Sequence, residues 1–376
     1  MESLEFIIEG KTYFITSLEE FLDDEFIKLI SSYLSVGVSN WSKFKRLSLE
    51  FFNDIFCEKD RRESLDYQKA YLNNFTPIWM SFINKKNYGE AEILWNKVLD
   101  FITEWEINNP DRLFHKGSPF YYWGVTAILE NDMDKGYALM HRALQEDIRT
   151  MGSEYPQTPA LWFVTANPEK VNQLFREWPL RQNEFLNERI KTYKYGNGKK
   201  LEIKDFREKF LYSRENSEIV YFFAYTISRL YQIEKTPPIV YQSAFACQLF
   251  FDILFNIVGV INSAISAKSQ KNRGFLEQIV YLSNAANINK KEEDWKEINK
   301  SFVKDFDKTM EEIIMGNYQY DNGKILFGLE VDLAIAYGIR NRGAHNITQH
   351  SVIHDKFEVI ERMLFNVLFF VVETLY

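Results

Sequence analysis

The sequence predicts a predominantly all-α protein, and three observations carry that prediction. Apolar residues recur at helical spacing along most of the chain, strand-like alternation is confined to residues 3–16, and a capping box at Ser17 marks the change from one to the other. The chain has 376 residues and 46% hydrophobic content, which is enough for two domains that each bury a core. We therefore expect a helical N-terminal domain over residues 1–195 and a helical bundle over residues 196–376.

The elements of the first half follow in order. Residues 3–16 alternate β-branched and aromatic side chains around Glu9-Gly10, which predicts a small β-hairpin. The segment Ser17-Leu-Glu-Glu then opens an amphipathic helix that extends through Leu34. Further apolar periodicity predicts helices at about 41–57, 64–84, 88–108, 118–130 and 134–151.

Two of these segments resemble tetratricopeptide units. Asn87-Tyr-Gly-Glu-Ala91, followed by Trp95 and Val98, is similar to the second helix of such a unit. Gly124 and Gly136 continue the register with small residues where paired helices approach closely, at an offset of 45 residues rather than 34, so we expect an insertion near 108–117. The resemblance implies a partner-binding helical surface; a plain antiparallel α-bundle is the alternative.

The second half begins after turn-rich residues. Residues 152–158 and 193–200 are both rich in turn formers, and the second stretch is the better domain boundary. Pro237-Pro238 then fixes an extended joint before a very apolar helix. Helices are predicted at about 240–268, 274–286, 291–315, 328–341 and 354–375, with a polar loop at 316–323.

The hexapeptide Arg340-Asn-Arg-Gly-Ala-His345 carries the clearest chemical signal. A guanidinium grips phosphate oxygens in a fork, and a histidine transfers protons near neutral pH. Arg340 and His345 would be about 140° apart on a straight helix, so the pair works best if Gly343 ends the helix and His345 turns back. These residues suit the cleavage of a phosphodiester.

The hexapeptide resembles the Arg-x(4–6)-His signature of HEPN domains, in the form with Asn directly after the Arg. The resemblance implies a metal-independent endoribonuclease built on a four-helix bundle, with Arg340, Asn341 and His345 as catalytic residues. Arg340 would stabilise charge on the non-bridging oxygens, His345 would move a proton, and Asn341 would hold the imidazole or the phosphate. The alternative is structural: Arg340 pairs with a carboxylate, Gly343 ends one helix and His345 caps the next.

Other polar residues are candidates for supporting roles. Arg342 could contact phosphate, and Lys271 and Arg273 could bind substrate, although cations at a helix end also complement its dipole. Asp252 and Asn256, one turn apart in an apolar helix, could orient the motif or bond within the core.

Composition bounds the class of protein. A net charge of −8 means that RNA contacts must come from a local basic patch. The N-terminus has no basic segment typical of a secretory signal, and no apolar stretch is long enough to predict a membrane span. The two cysteines, Cys57 and Cys247, are far apart and apolar in context, which favours buried thiols in the cytoplasm and makes a zinc site or other cofactor unexpected.

We expect a homodimer. Residues 240–268 and 354–376 are apolar over more than one helical face, and a second copy would cover the extra face and bring two motifs together. The N-terminal domain could cover that face instead. The resemblance to HEPN domains implies a bacterial toxin or anti-phage effector that acts on RNA, and we expect a protein or small-molecule activator on its N-terminal domain. The alternatives are a non-catalytic HEPN scaffold and a tetratricopeptide-like adaptor that binds RNA, nucleotide or a protein.

Overall fold

The computed structural model describes residues 4–8, 11–15, 20, 38–58, 61–151, 157–196, 201–236, 244–269, 274–321, 323–343 and 350–376. Apart from Glu20, the predicted helix at 17–34 lies outside these residues, as do His345, Lys271 and Arg273. The predicted all-α class is confirmed, because the described elements are helices apart from two short antiparallel hairpins.

The chain divides into two compact units, Met1–Leu161 and Trp162–Tyr376. The sequence predicts a domain boundary after residue 195. The observed packing instead groups residues 162–195 with the C-terminal half of the chain. Arg189 shows why: its Nε donates to Glu361 Oε1 at 3.0 Å, and both side chains are nearly buried.

The first unit begins with the predicted hairpin. Strands β1 (Leu4–Ile8) and β2 (Lys11–Ile15) pair antiparallel, with Leu4 opposite Ile15 and Ile8 opposite Lys11. The helices that follow are α1 (Val38–Glu58), α2 (Arg61–Asn73), α3 (Thr76–Asn84), α4 (Tyr88–Asn108), α5 (Gly117–Leu129) and α6 (Met133–Met151). Helix α7 (Pro159–Val164) crosses the division between the units.

The helix pairs α3–α4 and α5–α6 are joined by the same turn. In the first, the amide of Lys86 donates to Ile83 O and that of Asn87 to Phe82 O; the second repeats both bonds 45 residues later, from Asn131 and Asp132. Lys86 and Asn131 take left-handed φ values of 56° and 71°. The predicted offset of 45 residues is thus visible in the backbone hydrogen bonds.

Helices α5 and α6 approach closely at two glycines. A Cβ at Gly136 would lie 2.4 Å from a side-chain carbon of Ile128, and one at Gly124 would lie 3.1 Å from the Gly136 carbonyl oxygen. The small residues singled out in the sequence therefore lie where two helix backbones meet, as predicted.

The second unit contains the helices of the predicted bundle. They are α8 (Glu177–Thr192), α9 (Ile203–Phe206), α10 (Ser217–Lys235), α11 (Ala244–Lys268), α12 (Phe275–Ala285), α13 (Glu292–Lys304), α14 (Phe306–Ile314), α15 (Leu329–Gly343), α16 (Ser351–Asp355) and α17 (Phe357–Leu375). A π-helical turn follows α9 at Arg207–Leu211, short 3-10 turns lie at Gln173–Phe175 and Arg214–Asn216, and strands β3 (Gln319–Tyr320) and β4 (Lys324–Ile325) form a hairpin.

Three predicted helices are each two helices. The segment 64–84 breaks between Asn73 and Thr76, because Pro77 lacks the amide that would bond the Asn73 carbonyl in a continuous helix and is tolerated only in the first turn of a new one. The segment 291–315 breaks at Asp305, whose extended backbone lets its carboxylate accept from the Lys308 amide and cap α14. The segment 354–375 breaks at Lys356, between α16 and α17.

Helices α11 and α17 lie at the centre of the second unit. Helix α17 packs on α8, α11 and α15, and α11 also packs on α10. Neighbouring helices of the same unit therefore cover these apolar faces, so their composition does not by itself require a second copy. In the described part of the chain, one segment, Cys247–Lys268, is long and apolar enough to cross a membrane, but 56% of its most apolar window is buried, as in a core helix.

Candidate functional site

The motif begins in the last turn of α15. This helix has a core of small and branched residues, with Leu333, Ala334 and Ile335 fully buried. Gly338 permits close packing on α13, since a Cβ there would lie 2.6 Å from the Phe302 ring. The tight packing fixes the end of α15, where Arg340 and Arg342 add positive charge to the carboxyl end of the helix.

Arg340 is half-buried and lies above an aromatic ring. Its guanidinium carbon is 5.6 Å from the centroid of Phe255 on α11. No carboxylate lies within ion-pair distance of Arg340 in the part of the chain that the structure describes, so the structural alternative of a salt-bridged Arg340 finds no partner there. The ring orients the guanidinium without occupying its hydrogen-bonding edge.

Asn341 attaches the end of α15 to α13. Its Nδ2 donates to Asn299 Oδ1 at 2.7 Å. Asn341 also bonds the hydroxyl of Tyr337, although burial dominates and raises the pKa of that tyrosine. The described partners of Asn341 are thus structural neighbours, and its expected role in holding the His345 imidazole or the phosphate stays a prediction because His345 lies outside the described residues.

Arg342 belongs to a chain of three polar side chains. Its Nε donates to His350 Nε2 at 3.1 Å, and His350 Nδ1 lies 3.0 Å from Asp307 Oδ1. Because Nε2 accepts, the proton of the neutral ring is on Nδ1 and is donated to Asp307. The His350 ring is 8% exposed and packs 4.3 Å from the Phe306 ring.

The surroundings of His350 keep its imidazole neutral. Burial lowers the pKa of His350; Asp307 acts in the opposite direction, and Arg342 adds to the lowering. A protonated ring would place an N–H against the Arg342 N–H, so the neutral state and the observed hydrogen bond support each other.

The supporting residues predicted on α11 do not bond to Arg340 among the described residues. Asp252 is exposed and accepts a hydrogen bond from Gln248 at 2.6 Å, one turn earlier on the same helix. Asn256 is half-buried. The contact between α11 and Arg340 is made by Phe255 instead. Bonding of Asp252 within the core, one of the two roles considered for it, is wrong because its side chain is exposed, whereas a role of either residue toward His345 stays a prediction.

A cavity of about 490 Å³ lies elsewhere in the second unit, beside the break between α16 and α17. Its rim includes five carboxylates, from Glu188, Glu234, Asp355, Glu358 and Glu361, against three cations, from Arg189, Lys356 and Arg362. An excess of carboxylates repels phosphate, so this cavity does not suit an RNA backbone.

Nothing in the local sequence pattern points to the role of His350, because its partner Asp307 is 43 residues away and only the packing of α14 brings the two together. The pattern is equally silent on His115, which lies in a cavity of the first unit with Asp147. Within the described residues, no three His, Cys, Asp or Glu side chains are grouped as metal ligands.

No protein-family model matches this chain, and no curated protein or solved structure is significantly similar to it.

Proposed function

We propose that this protein is a metal-independent endoribonuclease of the HEPN type. The observation that carries the proposal is the state of Arg340: its guanidinium is held by Phe255 and has no carboxylate partner among the described residues. A half-buried arginine in that state is suited to a ligand with anionic oxygens, and the phosphodiester of RNA supplies them.

Cleavage uses the nucleophile that RNA already contains. The 2′-oxygen attacks phosphorus as its proton passes to a base, the bond from phosphorus to the 5′-oxygen breaks, and that oxygen receives a proton. The products are a 2′,3′-cyclic phosphate and a 5′-hydroxyl. Arg340 stabilises the charge on the non-bridging oxygens. His345, which lies outside the described residues, is assigned to proton transfer by its place in the sequence motif.

Arg342 provides the second cation. His350 and Asp307 hold its Nε, so the plane of its guanidinium is fixed, and its terminal nitrogens make no hydrogen bond to the described residues. They are suited to a neighbouring phosphate. Two arginines within three residues form a local basic site on a chain of net charge −8, so RNA binding is concentrated there rather than over the whole surface.

RNA cleavage with matched arginine variants tests this proposal. Arg340→Ala should lower the rate by about 10²–10³-fold, and Arg340→Lys should recover little because an ammonium lacks the bidentate fork. Arg176→Ala is the control, since Arg176 is exposed and makes no ion pair in the described part of the chain. Full activity in Arg340→Lys would reduce Arg340 to a general cation, and equal losses in all three variants would remove the assignment.

A second candidate, RNA binding without cleavage, is favoured by one observation. Both ring nitrogens of His350 are engaged, one with Arg342 and one with Asp307, so this imidazole is a positioning group and not a proton carrier. Cleavage then depends on His345. An RNA-binding protein with no cleavage in wild type, and unchanged binding in His345→Ala, would support the scaffold instead.

The biological setting follows from the same proposal. We propose a cytoplasmic toxin or anti-phage effector whose first unit, with its two repeated helix pairs, binds an activating partner or small molecule. A single imidazole serves one side of the transfer well, so a homodimer that pairs two motifs belongs to the proposal. Light scattering of the active enzyme tests for the homodimer, since a monomer that cleaves RNA excludes a site built from two copies of the motif.

A further inference from the structure

The first unit contains a cavity of about 250 Å³ with an unusual set of buried polar atoms. It opens between α2, α5, α6 and residues 157–160. Cavities for drug-sized ligands are roughly 300–1,000 Å³, so this one has room for a molecule of one or two rings.

One wall of the cavity is the imidazole of His115, whose side chain is 4% exposed. Its Nδ1 lies 2.8 Å from Thr150 Oγ1, and that hydroxyl donates its own proton to the Glu146 carbonyl at 2.7 Å. The hydroxyl must therefore accept from Nδ1–H, which leaves Nε2 with a lone pair. Burial, reinforced by Lys69 and Arg149, lowers the pKa of His115 to about 4, so Nε2 is an acceptor at neutral pH.

Asp147 stands beside that acceptor. Its side chain is 5% exposed, and its Oδ1 lies 3.6 Å from His115 Nε2, which is too far for a hydrogen bond between them. Gly117 makes room for the carboxylate, because a Cβ at this position would lie 1.8 Å from Oδ1. No lysine or arginine lies within ion-pair distance of Asp147 among the described residues, and burial raises the pKa of Asp147 to about 7. Both the carboxylate and the carboxylic acid keep an acceptor oxygen, so two buried acceptors face the cavity together.

Two further polar groups line the cavity near this pair. The buried Thr158 hydroxyl lies beside Asp147 and lowers the pKa of that carboxyl, against the larger effect of burial. Lys69, which is half-buried on α2, also lines the cavity and forms no ion pair with a described residue. The cavity thus offers a pair of acceptors, a hydroxyl and a cationic donor.

We propose that this cavity binds a small neutral ligand that carries an amino group next to a hydrogen-bond acceptor, as the edges of cytosine and adenine do. The amino group donates to His115 Nε2 and Asp147, and the acceptor receives from Lys69. A cationic ligand is disfavoured by Lys69, which forms no ion pair with a described residue, and an anionic ligand is disfavoured because a second negative charge beside buried Asp147 would cost desolvation energy. The site is independent of RNA cleavage, because each of its residues belongs to the first unit.

Two pairs of nucleobases test the proposal by calorimetric titration of the full chain. Cytosine and uracil have similar shapes, but uracil carries a carbonyl where cytosine carries an amino group. Hypoxanthine differs from adenine in the same way. We expect heat of binding for cytosine or adenine, with at least tenfold weaker binding of uracil and hypoxanthine, because a carbonyl meets two acceptors.

Variants separate this site from non-specific binding. Asp147→Asn should weaken the amino-bearing base at least tenfold and reduce its preference over the carbonyl-bearing one. Lys69→Met, at a half-buried position of the cavity wall, should weaken binding and leave the fold intact. This second variant tests the proposal even if Asp147→Asn fails to fold. Lys97→Met, at a half-buried position of α4 that does not line the cavity, is the matched control and should bind as wild type. No binding of any of the four bases to folded wild type, equal binding within each pair, or unchanged binding in Lys69→Met would overturn the proposal.

Discussion

Arg342 donates from Nε to His350 Nε2 at 3.1 Å, and this contact joins the end of α15 to the residue that precedes α16. The two ends of the segment 344–349 are thereby linked through side chains. The contact fixes the plane of the Arg342 guanidinium beside the proposed catalytic motif.

The first prediction concerns this pair. His350→Ala and Asp307→Ala should each lower RNA cleavage by about tenfold. The first removes the acceptor of the Arg342 Nε, and the second removes the carboxylate that orients the His350 ring. A lost hydrogen bond to a charged group is worth about 1.5–3 kcal/mol. His350→Gln should retain part of the activity, because an amide oxygen can still accept from Arg342. Cleavage rates at saturating and low RNA check this, and full activity in His350→Ala would show that Arg342 needs no positioning.

Packing behind the motif gives a second prediction. Gly338→Ala should destabilise the protein by about 1–3 kcal/mol, because its Cβ would meet the Phe302 ring at 2.6 Å inside a filled core. Gly259→Ala on α11 is the control: its Cβ would be 3.8 Å from the nearest atom, so the gain in helix propensity of up to about 1 kcal/mol should dominate. Urea unfolding measures both, and equal stabilities would mean that the α13–α15 contact is looser than described.

The buried pair in the first unit predicts an unusual pH dependence. Burial lowers the pKa of His115 from 6.5 to about 4 and raises that of Asp147 from 3.8 to about 7. Between pH 4 and 6.5 the unfolded chain binds the His115 proton, so this residue makes stability rise with pH. Over the same range the folded chain holds the Asp147 proton, so that residue makes stability fall. Each contribution is about 3 kcal/mol, and they oppose each other.

Single substitutions should separate the two contributions. Relative to wild type, His115→Gln should lose stability as pH rises from 4 to 6.5, and Asp147→Asn should gain stability as pH rises from 4 to 7. Denaturant unfolding at several pH values gives both curves. Lys69, Arg149 and Glu146 act on the pair in every variant, so curves parallel to wild type would mean that neither group is shifted.

Much of the fold could be predicted from local patterns. The helix predicted at 88–108 is observed at Tyr88–Asn108, because its buried residues recur with helical spacing from Ala91 to Trp105. The breaks at Asp305 and Lys356 were missed, since an aspartate or lysine within a periodic apolar pattern fits a helix interior as well as a cap. The difference between them depends on how the flanking helices pack.

The candidate site could be predicted in part. The position of Arg340 at a helix end follows from Gly343 and the apolar residues before it. The partner of Asn341 is Asn299, 42 residues away, and the partner of His350 is Asp307. Neither pairing leaves a trace in the spacing of residues along the chain, because long-range packing alone creates it.

The chemistry of the RNA ends tests the central proposal most directly. Purified protein is incubated with RNA in EDTA, and the products are analysed for 2′,3′-cyclic phosphate and 5′-hydroxyl ends, with His345→Ala as the paired variant. We expect both ends from wild type in the absence of divalent metal, and no cleavage by a folded His345→Ala. Cleavage that requires Mg²⁺, ends that carry a 5′-phosphate, or equal rates in wild type and His345→Ala would contradict the proposed function.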